Sequence, residues 1–129
     1  MDTLPSLRIK GINLKFPIIQ GGMGVGISLH PLAQAVAQEG GLGVISSACL
    51  DRLVSLRTGQ KHNIYQAIYE EVSLAKASGG FSGINIMVAL NRDFEQSVKS
   101  AIDAKADAII CGAGLPLNLP AIQKPGDTA

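Results

Sequence analysis

The chain has 129 residues, is 47% apolar and 16% charged, and carries a formal net charge of +1, the composition of one globular domain with a sizeable core. Near-neutral charge gives no electrostatic footprint for nucleic acid or an anionic membrane, and 4% aromatics without Trp offer no stacking platform for single strands. No apolar run reaches the roughly 18 residues of a membrane span, and "MDTLPSLRIK" lacks the basic-then-apolar order of a signal peptide, so a cytoplasmic protein is expected.

The first β-rich run, "KFPIIQ" (Lys15–Gln20), leads into "GGMGVG", four glycines within six residues. Ser28 then has the character of a helix N-cap, with Pro31 tolerated in the first turn. The helical spacing that follows puts Leu32, Ala35 and Val36 on one face, and Gly40 and Gly41 supply a left-handed closing residue. "LGVISS" (Leu42–Ser47) reads as a buried strand. The polar connection "ACLDRLVSLRTGQKHN" contains at most a short helical turn.

Asn63 is placed to cap the next helix, whose apolar positions Ile64, Ile68, Val72 and Ala75 recur at helical spacing. "SGGFSG" breaks that helix, and "INIMVA" (Ile84–Ala89) is the third strand. Asp93 caps a further helix with Phe94, Val98, Ala101 and Ile102 as its stripe. "ADAIICGAG" is the fourth strand, followed by the proline-punctuated loop "LPLNLPAIQKPG".

The order β-α-β-α-β-α-β predicts a parallel sheet covered by helices. Three of the four strands end in small or polar clusters, "QGGMG", "SSAC" and "CGAG". Ligands of parallel α/β folds bind at the carboxyl ends of the strands, so these clusters mark the expected rim of a site. The glycines fit neither nucleotide fingerprint: no third Gly completes G-x-G-x-x-G in either frame, and no Lys-Ser or Lys-Thr follows. They suit either a tight strand-to-helix turn or a backbone against which a flat or anionic ligand lies.

Other chemically suggestive residues read more plainly. His30 and His62 suit solvated or capping roles better than catalysis. Cys49 and Cys111 match no metal or redox spacing and are expected to be buried thiols; space-filling is favoured for Cys111 over approach to a ligand. Ser46 and Ser47 either line a pocket or cap a strand end. Lys61, Lys99 and Lys105 are scattered and read as solvated surface.

The stretches "PIIQGGMGVGIS", "LAQAVAQEGGLGVISS", "GINIMV" and "ADAIICGAGLP" strongly resemble the nitronate monooxygenase family, formerly called 2-nitropropane dioxygenases. Flavin-dependent enoyl-acyl-carrier-protein reductases share much of the pattern. The resemblance runs from about Phe16 to the end of the chain. It implies an α/β fold of the parallel (β/α) TIM-barrel type with FMN at the carboxyl rim.

With four βα-type units against the eight of a barrel, residues 1–129 are expected to be the N-terminal half of that domain. By resemblance, the cofactor-binding residues are Gly22, Met23 and Gly24, whose loop faces the flavin ring, with Asn85 and Gly112 on the same rim. No metal is implied, and the family's catalytic His is expected beyond Ala129. The implied reaction is oxidation of an alkyl nitronate to a carbonyl compound and nitrite, with molecular oxygen as co-substrate. The alternatives are enoyl thioester reduction in the reductase branch and a truncated paralogue without flavin. An open half barrel would leave two sheet edges and an apolar inner face to water, which association of two halves, or partial disorder, would relieve.

Overall fold

The computed structural model describes residues 4–89, 91–122 and 128. A short antiparallel hairpin, β1 (Leu7–Ile9) and β2 (Ile12–Leu14), opens the chain. It is followed by the glycine-rich loop, α1 (His30–Gln38), β3 (Leu42–Ser46), α2 (Leu50–Thr58) and α3 (Ile64–Lys76). Then come β4 (Phe81–Met87), α4 (Asn91–Asp103), β5 (Ala108–Gly112) and the single-turn α5 (Leu119–Ile122). β3, β4 and β5 form one parallel sheet in that order, with Ser46 opposite Asn85 and Asn85 opposite Ile110. No closed barrel forms among the described residues.

The sheet has two unlike faces, as the alternation of side chains along a strand requires. Ile45, Ile84 and Ile86 pack under the helices with Ile68, Val72, Phe94 and Val98, forming the main core. The opposite face carries Leu42, Val44 and Ala108, closed at its amino-terminal end by Ile12 and Leu14 of the hairpin. Beyond the hairpin this inner face turns small and polar: Ser46, Asn85 and Gly112 lie at the carboxyl ends of the three strands.

Several sequence expectations need correction. Lys15–Gln20 is not a full strand: only Ile19 bridges to Leu42, in parallel sense. α1 buries Ala33 and Ala37, not Leu32 and Ala35, which are exposed, and Val36 is only partly covered. The reason is Gly43, where an added Cβ would lie 1.9 Å from the Ala33 carbonyl oxygen; so close an approach admits only small residues on the facing helix turn.

The polar connection after β3 holds the nine-residue α2, not a short turn. β4 begins at Phe81, three residues ahead of the expected start, and ends at Met87. Asp93 lies inside the first turn of α4 and does not precede it. The loop after β5 contains α5, while Gln123–Asp127 lie outside the described residues. The Asn63 expectation holds in full: its side chain accepts from the Gln66 N–H at 2.8 Å, and Gln66 returns the bond at 3.0 Å, a capping box.

Candidate functional site

The rim is organised by the residue that ends the first β-rich run. Leu42 N–H donates to the Ile18 carbonyl at 2.9 Å and Gln20 N–H to the Leu42 carbonyl at 3.0 Å, two regular rungs of a parallel ladder. The next two rungs would use the Gln20 carbonyl and the Gly22 N–H. Instead, the Gln20 side-chain amide makes both: its Oε1 accepts from Val44 N–H at 3.0 Å and its Nε2 donates to the Val44 carbonyl at 3.0 Å. The backbone is thereby released from the sheet at Gly21. The N–H groups of Gly22 and Gly24 make no hydrogen bond to any described residue.

Ser28 ties off the released loop. Its Oγ accepts from Met23 N–H at 2.9 Å and from Gln20 Nε2 at 3.0 Å, and its N–H donates to the Met23 carbonyl at 2.9 Å. The Ser28 carbonyl accepts from Ser46 N–H at 2.9 Å, fastening the loop to the end of β3. Ser28 is therefore not the helix cap expected from its position; Leu29 is the N-cap and makes no side-chain capping bond. The open amide at the start of α1, His30 N–H, is satisfied by Glu71 Oε2 at 2.9 Å, reaching across from α3.

Four of the five expected site residues meet at the carboxyl rim. A Cβ on Gly22 would lie 2.7 Å from Asn85 Cβ and 3.2 Å from Val44 Cγ1. One on Gly24 would lie 2.7 Å from Ala48 Cβ and 3.1 Å from Ser46 Oγ. One on Gly112 would lie 3.7 Å from Asn85 Oδ1. Met23 stands in the same loop and is 61% exposed; its backbone, held by Ser28, is the part fixed at the site. Asn85 is partly buried, and its amide, reachable by solvent, makes no hydrogen bond to a described residue. Cys49 after β3 and Ala113 after β5 both adopt left-handed backbone conformations, at φ 54° and 55°. Lys10 in the hairpin turn and Lys105 after α4 share that conformation, at φ 36° and 63°, so it is not particular to the rim.

The remaining residues resolve as follows. Ser46 sits on the inner face and its Oγ accepts from Ala48 N–H at 3.4 Å. Ser47 belongs to a separate cavity of about 170 Å³ between the sheet and the helices, beside Met87, Asp93 and Phe94. Cys111 packs on the helix side, and burial pushes its thiol pKa up. Cys49 is exposed, correcting the expectation of a buried thiol: it is the N-cap of α2, where the chain leaves the sheet. His30 lies 3.1 Å from Glu71 and His62 lies 3.0 Å from Glu70. Among the described residues no cluster could hold a metal ion, and no helix is long and apolar enough to cross a membrane.

Two functional-looking residues escape the sequence reading. Glu71, 0% exposed, takes part in a network with His30 and Arg57; an acidic residue next to Val72 reads as a solvated position until α1 is placed over it. Gln20 reads as the polar end of a strand, and only its register against β3 shows its use.

Residues 6–55 match the family model described as nitronate monooxygenase. The matched segment spans the hairpin, the glycine loop, α1, β3 and the first part of α2. It contains Gln20, Gly22, Met23, Gly24, Ser28 and Ser46, whereas Asn85 and Gly112 lie outside it. The match supports an oxidoreductase-type enzyme at the level of the family. No curated protein matches the chain.

Proposed function

We propose that this chain carries the ring-facing side of an FMN site in a flavoenzyme that oxidises alkyl nitronates to carbonyl compounds and nitrite with molecular oxygen. One observation carries the reading: within the family-matched segment the backbone leaves the sheet with the N–H groups of Gly22 and Gly24 unbonded to any described residue, and Gly22 packs on Asn85, whose amide is likewise unbonded. The donor set fits the cofactor. The N–H groups of Gly22 and Gly24 and the Asn85 amide suit the polar edge of an isoalloxazine ring. FMN, when bound, supplies the electron-transfer chemistry of the oxidation.

The chain's own part is binding and electrostatics. Preorganised backbone donors favour the negative charge that reduction places on the ring edge, at no cost of reorientation. The Ser28 bonds hold that loop in place, and the absence of side chains at Gly22 and Gly24 lets it pack directly on Val44, Asn85, Ser46 and Ala48. Both histidines are engaged by carboxylates of α3, so this reading assigns neither of them a proton-transfer step.

The test is to add FMN to the protein and follow nitronate-dependent oxygen uptake and nitrite release beside NAD(P)H-dependent reduction of an enoyl thioester. Perturbed flavin fluorescence is expected, and any nitrite release should depend on added FMN. Enoyl reduction without nitrite would move the protein to the reductase branch, and failure to perturb flavin fluorescence at any protein concentration would remove the flavin site.

A further inference from the structure

We infer that Gln20 is a positioning residue: its side-chain amide replaces two rungs of the ladder to β3 and thereby presents the Gly21–Gly24 backbone to a ligand. The ligand part of this inference rests on the flavin reading above; the loop-setting part stands on the geometry alone.

A parallel strand that ended at Gln20 would leave the Val44 N–H and carbonyl unpaired at a buried residue, and unpaired buried peptide groups are disfavoured. The simplest remedy is for the backbone to continue the ladder, with Gly22 N–H donating to the Val44 carbonyl. That would commit an N–H that otherwise bonds no described residue. The Gln20 side chain removes the conflict because a primary amide has the donor and acceptor of a peptide unit on one planar group. It fills the Val44 sites at 3.0 Å each, and its second N–H reaches Ser28 Oγ at 3.0 Å and the Gly21 carbonyl at 2.8 Å. The same side chain therefore ends the strand, satisfies β3 and orients the serine that closes the loop. Asn is too short to span the gap, and Glu offers acceptors without the N–H donors.

The test uses the full chain labelled with nitrogen-15 and the variants Gln20→Met and Gln20→Glu. Methionine keeps the length and most of the packing but loses every hydrogen bond; glutamate keeps the shape and an acceptor for Val44 N–H but cannot donate when ionised. In Gln20→Met, exchange of the Val44 amide is expected to accelerate about tenfold, the equivalent of one lost hydrogen bond, while the Ile84 and Val98 amides keep their protection. Gly21–Met23 resonances should move in both variants, but Val44 protection should fall only in Gln20→Met. FMN titration should give a dissociation constant raised about tenfold or more in both.

Loop resonances and Val44 exchange unchanged in Gln20→Met would overturn the inference, as would a moved loop with unchanged FMN affinity. If the unsubstituted chain shows no FMN-induced shift at Gly21–Gly24 while the exchange results come out as expected, the flavin reading fails and Gln20 stands as the residue that sets the loop. A variant that loses Ile84 and Val98 protection has unfolded, and the Gln20→Glu contrast between Val44 and the loop then decides.

Discussion

The Asn85 amide contributes no hydrogen bond to the described fold, yet its Cβ is the surface on which Gly22 rests. Truncation to Ala keeps that Cβ. Asn85→Ala should therefore change unfolding free energy by no more than about 0.5 kcal/mol, while weakening FMN binding by about 1–3 kcal/mol for a lost buried hydrogen bond. Gly22→Val is the opposite case: its first added atom already falls 2.7 Å from Asn85 Cβ, so overpacking should cost about 1–3 kcal/mol of stability as well as ligand affinity. Denaturant unfolding and flavin fluorescence titration measure the two quantities separately. A large stability loss in Asn85→Ala with unaltered flavin titration would make Asn85 a structural residue and leave the ring edge without its side-chain partner.

At the level of elements, the start of α1 depends on a charge borrowed from α3. Glu71 is fully buried, accepts from the His30 N–H and ring, and also pairs with Arg57 of α2. Arg57 in turn holds Glu70 at 2.8 Å, and three helices are joined through the Glu71 carboxylate. Arg57→Met leaves the buried carboxylate with the His30 contacts alone; because Arg57 is about a third exposed (35%), water recovers part of the loss. A destabilisation of about 1–3 kcal/mol is expected. Glu71→Gln keeps an acceptor for the helix amide and should cost less. Thermal or denaturant unfolding ranks the two, and a larger loss in Glu71→Gln would mean that the carboxylate's charge toward the His30 N–H and ring outweighs its pair with Arg57.

This network also marks the limit of what could be read from the chain. Periodicity located β3, α3, β5 and the stripe of α4, because each buries a local pattern that its own residues announce. The small and glycine-rich strand ends likewise pointed to one rim, since only a parallel sheet brings them together. The full length of α2 is not legible in the sequence because it follows a left-handed Cys49 and is mostly polar. The N-terminal hairpin is not legible because three-residue strands carry too little pattern. Ser28 is ambiguous for a physical reason: the same hydroxyl can cap a helix or tie off a loop, and here it bonds Gln20, eight residues away.

For the molecule as a whole, the decisive feature is where charge is absent. Gly22, Gly24, Ser46, Asn85 and Gly112, the residues that meet at the rim, carry none, and the neighbouring cavity beside Ser47 is lined by Asp51 and Asp93. The net charge of +1 adds no long-range attraction for an anion. A flavin held by these residues is therefore held by its ring, and its phosphate gains nothing from them. Charge-assisted hydrogen bonds to a phosphate are worth about 1.5–3 kcal/mol each, so their absence has a direct signature. FMN and riboflavin should bind this chain with dissociation constants within about threefold of each other, both weakly, and added salt should change neither much. Parallel titrations followed by flavin fluorescence make the comparison. FMN binding tens of times more tightly than riboflavin, and loosening with salt, would show that a cationic phosphate site lies within the chain and that the rim is not the main source of affinity.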